Sequence, residues 1–108
     1  MADEQAFGDI ATKLLMENER VRIWEMRLAP GQQSDLHRHD TDYVMIQIAG
    51  DKMAAKFEAD SGGEWGGLDY LEGDISPGNV LYAKAGGVET AINVGKEEFY
   101  EIVVEFKD

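Results

Sequence analysis

The chain has 108 residues, two histidines, no cysteine and a formal net charge of −12. That length suits one domain with one modest core, and the missing thiols exclude a disulfide framework and a thiolate metal site, so any metal must be held by nitrogen and oxygen. The charge repels a phosphate backbone or an anionic membrane over the whole surface, which sets nucleic acid and membrane aside as partners.

Residues 1–9 carry Asp3, Glu4 and Asp9 where a secretory leader would need a basic start and then an apolar stretch, and no long apolar run comes after them. The expectation is a soluble, cytoplasmic protein. Residues 1–20 read as an N-terminal segment ahead of the main domain, 21–108. Within that segment the apolar residues of 10–16 fit either a short helix or a strand running through Asn18-Glu19 into 21–28; the strand, added to the domain's edge, is the favoured reading. Beyond it, turn formers recur at Pro30-Gly31, Gly50-Asp51, Gly62-Gly63, Gly66-Gly67, Gly73-Asp74, Pro77-Gly78, Gly86-Gly87 and Gly95, leaving only short segments between them. Segments 21–28, 43–48, 53–57, 80–82, 88–93 and 99–106 are rich in β-branched and aromatic residues and are predicted as strands. Several such strands at regular spacing predict an all-β, antiparallel sandwich or barrel. Residues 61–67 read as a flexible hairpin loop anchored by Trp65. Trp24, Met26, Met45 and Phe106 are expected in the core, and Glu97-Glu98 in a solvated turn. Segment 43–48 is apolar on both faces, with Val44, Ile46 and Ile48 in one phase and Tyr43, Met45 and Gln47 in the other. A row of β-branched side chains then faces outward and needs cover from a second layer or a second copy, which predicts a homodimer.

The only histidines, His37 and His39, are two residues apart, a spacing that puts both on one face of a strand within reach of one ion. Two imidazoles alone make an incomplete site. The alternative is that both are exposed or hydrogen-bonded near a strand end, with Asp40 and Asp42 as partners. Tyr43 is a neutral phenol at physiological pH, suited to donating a hydrogen bond to a substrate oxygen or a metal-bound one; the favoured alternative is a strand aromatic with its hydroxyl near a pocket mouth. Gln47 shares its phase and would add a polar group deeper in the same pocket. No serine–histidine–aspartate set, phosphate-binding glycine loop or dinucleotide fingerprint accompanies these residues.

The arrangement Gly31, His37, His39 and Gly50 resembles the first motif of the cupin family, with Tyr43 where that motif has a glutamate. The run Lys84-Ala85-Gly86-Gly87-Val88-Glu89-Thr90-Ala91-Ile92-Asn93 resembles a degraded second motif. Anchored on Gly86 and Asn93, it has Lys84 at the family's proline and Glu89 at its histidine; anchored on Gly87, it has Thr90 there instead. Arg22 through Gly31, with Asp42-Tyr43-Val44, is most similar to small single-domain bacterial cupins, including those named in β-alanine degradation. The resemblance, spanning about 21–106, implies a jelly-roll barrel in which His37 and His39 end one strand, Tyr43 begins the next and Glu89 lies on a facing strand, all looking into one pocket. The family's usual three histidines and a glutamate hold a divalent metal such as iron, manganese, zinc, nickel or copper, and this chain departs at two of those four positions. What remains, His37, His39 and Glu89, makes a two-histidine, one-carboxylate set that leaves open positions on such an ion. The resemblance implies three candidate functions: a metal-dependent oxygenase, isomerase or lyase acting on a small polar substrate; a non-catalytic module that binds or senses a small-molecule ligand without a tightly bound metal; or a structural dimer whose histidine pair is a relic.

Overall fold

Short apolar segments between turns form nine strands among residues 7–107, the part of the chain that this computed structural model describes. Residues 1–6 and Asp108 lie outside the described residues, and with them Asp3 and Glu4 of the expected N-terminal segment. The strands are β1 (Lys13–Glu17), β2 (Val21–Leu28), β3 (His37–Arg38), β4 (Tyr43–Ala49), β5 (Lys52–Phe57), β6 (Tyr70–Asp74), β7 (Val80–Ala83), β8 (Val88–Asn93) and β9 (Phe99–Phe106). They make two antiparallel sheets, one of five strands in the order β1-β2-β9-β4-β7 and one of four in the order β3-β8-β5-β6. The expected all-β antiparallel architecture is therefore present; of residues 10–16, 13–16 lie in the edge strand Lys13–Glu17 paired with β2, while 10–12 precede it outside any strand.

The turns arise from their residues. Gln32 N–H donates to the Ala29 carbonyl at 2.9 Å across Pro30-Gly31, with Gly31 at φ 85°, a type II turn in which proline presets the first corner and glycine the second. Asn93, 1% exposed, acts as a latch: its Nδ2 donates to the carbonyls of Leu28 (2.9 Å) and Glu97 (2.8 Å), and its Oδ1 accepts from Gly95 N–H at 2.9 Å. One side chain thus satisfies three backbone groups that the sheet ladders leave over.

Three expectations need correction. Tyr70–Asp74 is a strand although its sequence, Tyr-Leu-Glu-Gly-Asp, does not read as one; it is a fully exposed edge strand held by pairing with β5. The loop 61–67 contains a short 3-10 turn at Gly63–Trp65, and Trp65 anchors it as expected, half-buried with its ring 6.2 Å from that of Phe57. Phe106 is not core. It points to the outer face of the five-stranded sheet and stacks on Tyr82 at 6.2 Å, because the buried phase of β9 is Phe99, Glu101, Val103 and Glu105. The core between the sheets centres on Met26, Leu28, Tyr43, Ala83, Phe99 and Val103, with Trp24 and Met45 packed against it. The outer face of the five-stranded sheet carries two cross-strand apolar rows. One is Ile23, Val104, Val44 and Tyr82; the other is Ile102, Ile46 and Val80.

Candidate metal centre

β3 and β8 pair antiparallel with His37 opposite Glu89. Cross-strand partners share a face, so this register alone puts an imidazole beside a carboxylate. Glu89 is therefore on the neighbouring strand of the same sheet, not on a facing one; the residue that comes from the other sheet is Tyr43. The backbone of His39 continues the attachment, donating to the Gly87 carbonyl and accepting from Gly86 N–H, both at 2.8 Å. Gly86 has to be glycine here: its φ is 114°, and a Cβ would lie 3.0 Å from the Gly63 nitrogen.

All four side chains are buried, His37 at 2%, His39 at 4%, Glu89 at 8% and Tyr43 at 2% exposed, which removes the alternative of a solvated histidine pair. Asp40 and Asp42 are not their partners either: Asp40 takes the Arg38 guanidinium at 2.7 Å, and Asp42 accepts from the Tyr82 hydroxyl and Ala85 N–H. His37 Nδ1 lies 2.8 Å from the Asp35 carbonyl, which can only accept, so the proton sits on Nδ1 and the Nε2 lone pair is free. His39 Nε2 lies 3.2 Å from Glu89 Oε1, while its Nδ1 is buried and has no hydrogen-bond partner among the described residues. The His39 ring stacks on Tyr43, centroids 3.8 Å apart and planes at 11°, and the Tyr43 hydroxyl donates to Glu89 Oε1 at 3.4 Å. These groups line a cavity of about 50 Å³ whose other walls are Ile10, Met26, Met45, Ala91, Glu101 and Val103.

No family model matches the chain. It is 27% identical over 96 residues to the beta-alanine degradation protein BauB of Pseudomonas aeruginosa, an alignment covering 85% of this chain and 87% of that protein. Among solved structures, a cupin domain from Bordetella pertussis superposes with a TM-score of 0.68 at 24% identity, over 94% of this chain and 100% of that one. An RmlC-like cupin family protein with a double-stranded beta-helix fold from Methanocaldococcus jannaschii does so with a TM-score of 0.68 at 20% identity, over 96% and 91%. The chain has the cupin fold.

Within this cupin barrel the donor atoms of His37, His39 and Glu89 all lie within 4.8 Å of one another. An ion about 2.1 Å from each of two donors keeps them no more than about 4.2 Å apart, so closing the set on one ion asks for a shift of roughly half an ångström. Charge agrees with that fit. Burial, and then the charge of His39, holds His37 below its ordinary 6.5, which keeps it the neutral ligand a metal needs. Burial alone would raise the Glu89 carboxyl, but its bond to His39, the two imidazoles and Tyr43 outweigh that and hold it below its ordinary 4.5, ionised. Burial, and then the Glu89 and Glu101 charges, push the Tyr43 phenol well above its ordinary 10, so it stays protonated and keeps a proton to donate.

Gln47 faces the cupin interior but does not line this cavity. Its Oε1 accepts from Ser76 N–H at 3.2 Å and Asn79 Nδ2 at 3.5 Å, tying the β6–β7 connection to β4. Glu101 is absent from the sequence-based candidates. It is 7% exposed, sits opposite both Met26 and Gln47 in register, and lines the cavity; burial first, then repulsion from Glu89, pushes its carboxyl up to about 8. Glu105, also buried, is occupied, accepting from Trp24 Nε1 at 2.7 Å and Arg22 Nε at 3.1 Å.

Proposed function

We propose that this cupin binds a small molecule at one divalent metal ion held by His37, His39 and Glu89, leaving the ion's remaining positions for the ligand. The observation that carries the reading is the convergence of two buried imidazoles and one buried carboxylate on a single cavity, within 4.8 Å. The ion would supply Lewis acidity or redox chemistry, according to its identity. Tyr43 would donate its hydroxyl proton in a hydrogen bond to the ligand's oxygen. Glu101, protonated at neutral pH, would offer a second donor across the cavity. The relative from Pseudomonas aeruginosa is named for β-alanine degradation, which is compatible with a small-molecule substrate and specifies no reaction. A metal-free binding module is the second reading, favoured by one observation: His39 Nε2 and Glu89 Oε1 already satisfy each other at 3.2 Å.

Titration calorimetry of metal-stripped protein with zinc separates the two. One ion per chain is expected, lost in His37→Ala, His39→Ala and Glu89→Ala. Uptake should weaken on acidification as protons compete with the metal for its ligands, His37 requiring more acid than an ordinary imidazole because burial and the charge of His39 lower its proton affinity. No uptake by the wild-type protein overturns the metal reading in favour of the metal-free one, and undiminished uptake by Glu89→Ala overturns the proposed three-residue site. We also propose that the barrel is a homodimer in the cytoplasm, joined through the apolar rows on the outer face of the five-stranded sheet.

A further inference from the structure

A second cavity, of about 140 Å³, adjoins the first. Ala55, Phe57, Trp65, Leu71 and Leu81 wall it, and Met45, Glu89 and Ala91 line both cavities. Register explains the lining. Ala91, Ala55 and Leu71 are cross-strand partners on the inner face of the four-stranded sheet, and Met45 and Leu81 are partners on the inner face of the other. The barrel is open here. β6 ends one sheet, β7 ends the other, and among the described residues no ladder joins them. Leu71 and Leu81 stand at this seam with 38% and 37% of their surface exposed. Among the described residues the only ionisable group in the wall is Glu89, so the chamber is apolar everywhere except where it meets the polar cavity.

We propose that this chamber binds the carbon skeleton of the site's ligand, an apolar group of about benzene size, while the ligand's oxygen-bearing head lies at Glu89 in the polar cavity. This rests on the small-molecule reading above and adds the chemical class: a short aromatic or branched aliphatic alcohol, acid or carbonyl compound rather than a fully polar metabolite. The sizes decide it. The polar cavity, about 50 Å³, is worth roughly two waters and has no room for a carbon skeleton, whereas an apolar cavity of about 150 Å³ with leucine and phenylalanine walls binds benzene. Met45, the unbranched side chain common to both walls, can change rotamer to let one molecule span them.

The test uses benzyl alcohol, a ring with a hydroxyl head, against methanol, the head alone, on the full chain with and without zinc. Methyl signals of Ala55, Ala91 and Met45 and the Trp65 indole are followed by NMR, and zinc uptake is measured by calorimetry on the same samples. Benzyl alcohol should shift these signals saturably and bind at least about tenfold more tightly than methanol, since the ring leaves water for an apolar wall. Ala55→Phe, which fills the chamber, should abolish that preference and leave zinc uptake unchanged; should it not fold, Leu81→Ser at the exposed rim should weaken benzyl alcohol at least about threefold by removing apolar wall. Absence of a saturable response, or a preference that survives the folded variant, overturns the proposal. Signals that move with protein concentration rather than with benzyl alcohol would also overturn it, assigning the seam to a second copy of the chain. A saturable benzyl alcohol response without zinc uptake supports the chamber and sinks the metal reading alone; zinc uptake without the response does the reverse.

Discussion

Replacing Glu101 by glutamine should stabilise the protein, by an amount that grows with pH. Burial, and then repulsion from Glu89, raise this carboxyl from its ordinary 4.5 to about 8. In the unfolded chain it gives up its proton near 4.5, whereas in the barrel it keeps it until about 8. Between those values the folded state holds more protons than the unfolded one, so stability falls as pH rises; below them the acid is neutral in both states and the effect vanishes. At about 1.4 kcal/mol per tenfold change in proton affinity, the penalty is about 1 kcal/mol at pH 5, about 3 kcal/mol at pH 7, and levels off near about 5 kcal/mol above pH 8. Glutamine matches the neutral acid in shape, cannot ionise, and escapes this cost. Urea unfolding of metal-stripped wild type and Glu101→Gln, at equal protein concentration from about pH 5 to pH 8.5, measures it, and the difference between the two curves removes the titrations common to both proteins and leaves Glu101 with its coupling to Glu89. A difference that stays flat across that range, or a variant less stable than wild type at pH 7, would refute the reasoning.

Asn93→Ala leaves the Leu28 and Glu97 carbonyls and Gly95 N–H without their partner and should cost about 2–4 kcal/mol in urea unfolding; a loss under about 1 kcal/mol would show that water replaces the latch. Tyr43→Phe removes a hydroxyl 3.4 Å from Glu89 and no proposed ligand atom, so zinc affinity by calorimetry should stay within about threefold of wild type, whereas His39→Ala should lose it. Val44→Glu combined with Ile46→Glu places charge in both outer apolar rows and should give a folded monomer by light scattering and circular dichroism; a wild-type protein already monomeric at micromolar concentration removes the dimer.

The strand boundaries were legible where sequence alone decides them. Segments 21–28, 88–93 and 99–106 begin and end as read, because turn formers bracket β-branched runs and no other element competes for them. The choice of inner face was not legible in β9. By apolarity, Tyr100, Ile102, Val104 and Phe106 should face the core, yet the buried phase holds Glu101 and Glu105. The outer face of this sheet is richer in hydrocarbon than its inner face, which reverses the usual pattern and hid Glu101. β6 escaped notice for a related reason: Tyr70–Asp74 owes its conformation to ladder bonds with β5, and a single-sequence reading sees propensity, not pairing. The histidine pair is legible from spacing, and Glu89 only from the resemblance, since its placement depends on the β3–β8 register. Gln47 has the expected phase, but whether the 75–79 connection or the cavity would claim its amide is a matter of tertiary geometry.

The position of β9 between β2 and β4 also governs the order in which the barrel can be built. Of the nine described strands residues 99–106 are synthesised last, yet they pair along their whole length with residues made much earlier and complete the middle of the five-stranded sheet. Until they emerge from the ribosome, β2 and β4 each carry an open ladder edge, and the cavity lacks the wall that Glu101 and Val103 provide. The three candidate donors all belong to the β3–β8 side of the barrel, which does not include β9, but the cavity around them cannot close without it. Closure must wait for synthesis through Phe106, and pairing over such long sequence separations places folding in the millisecond-to-second range of β-barrels.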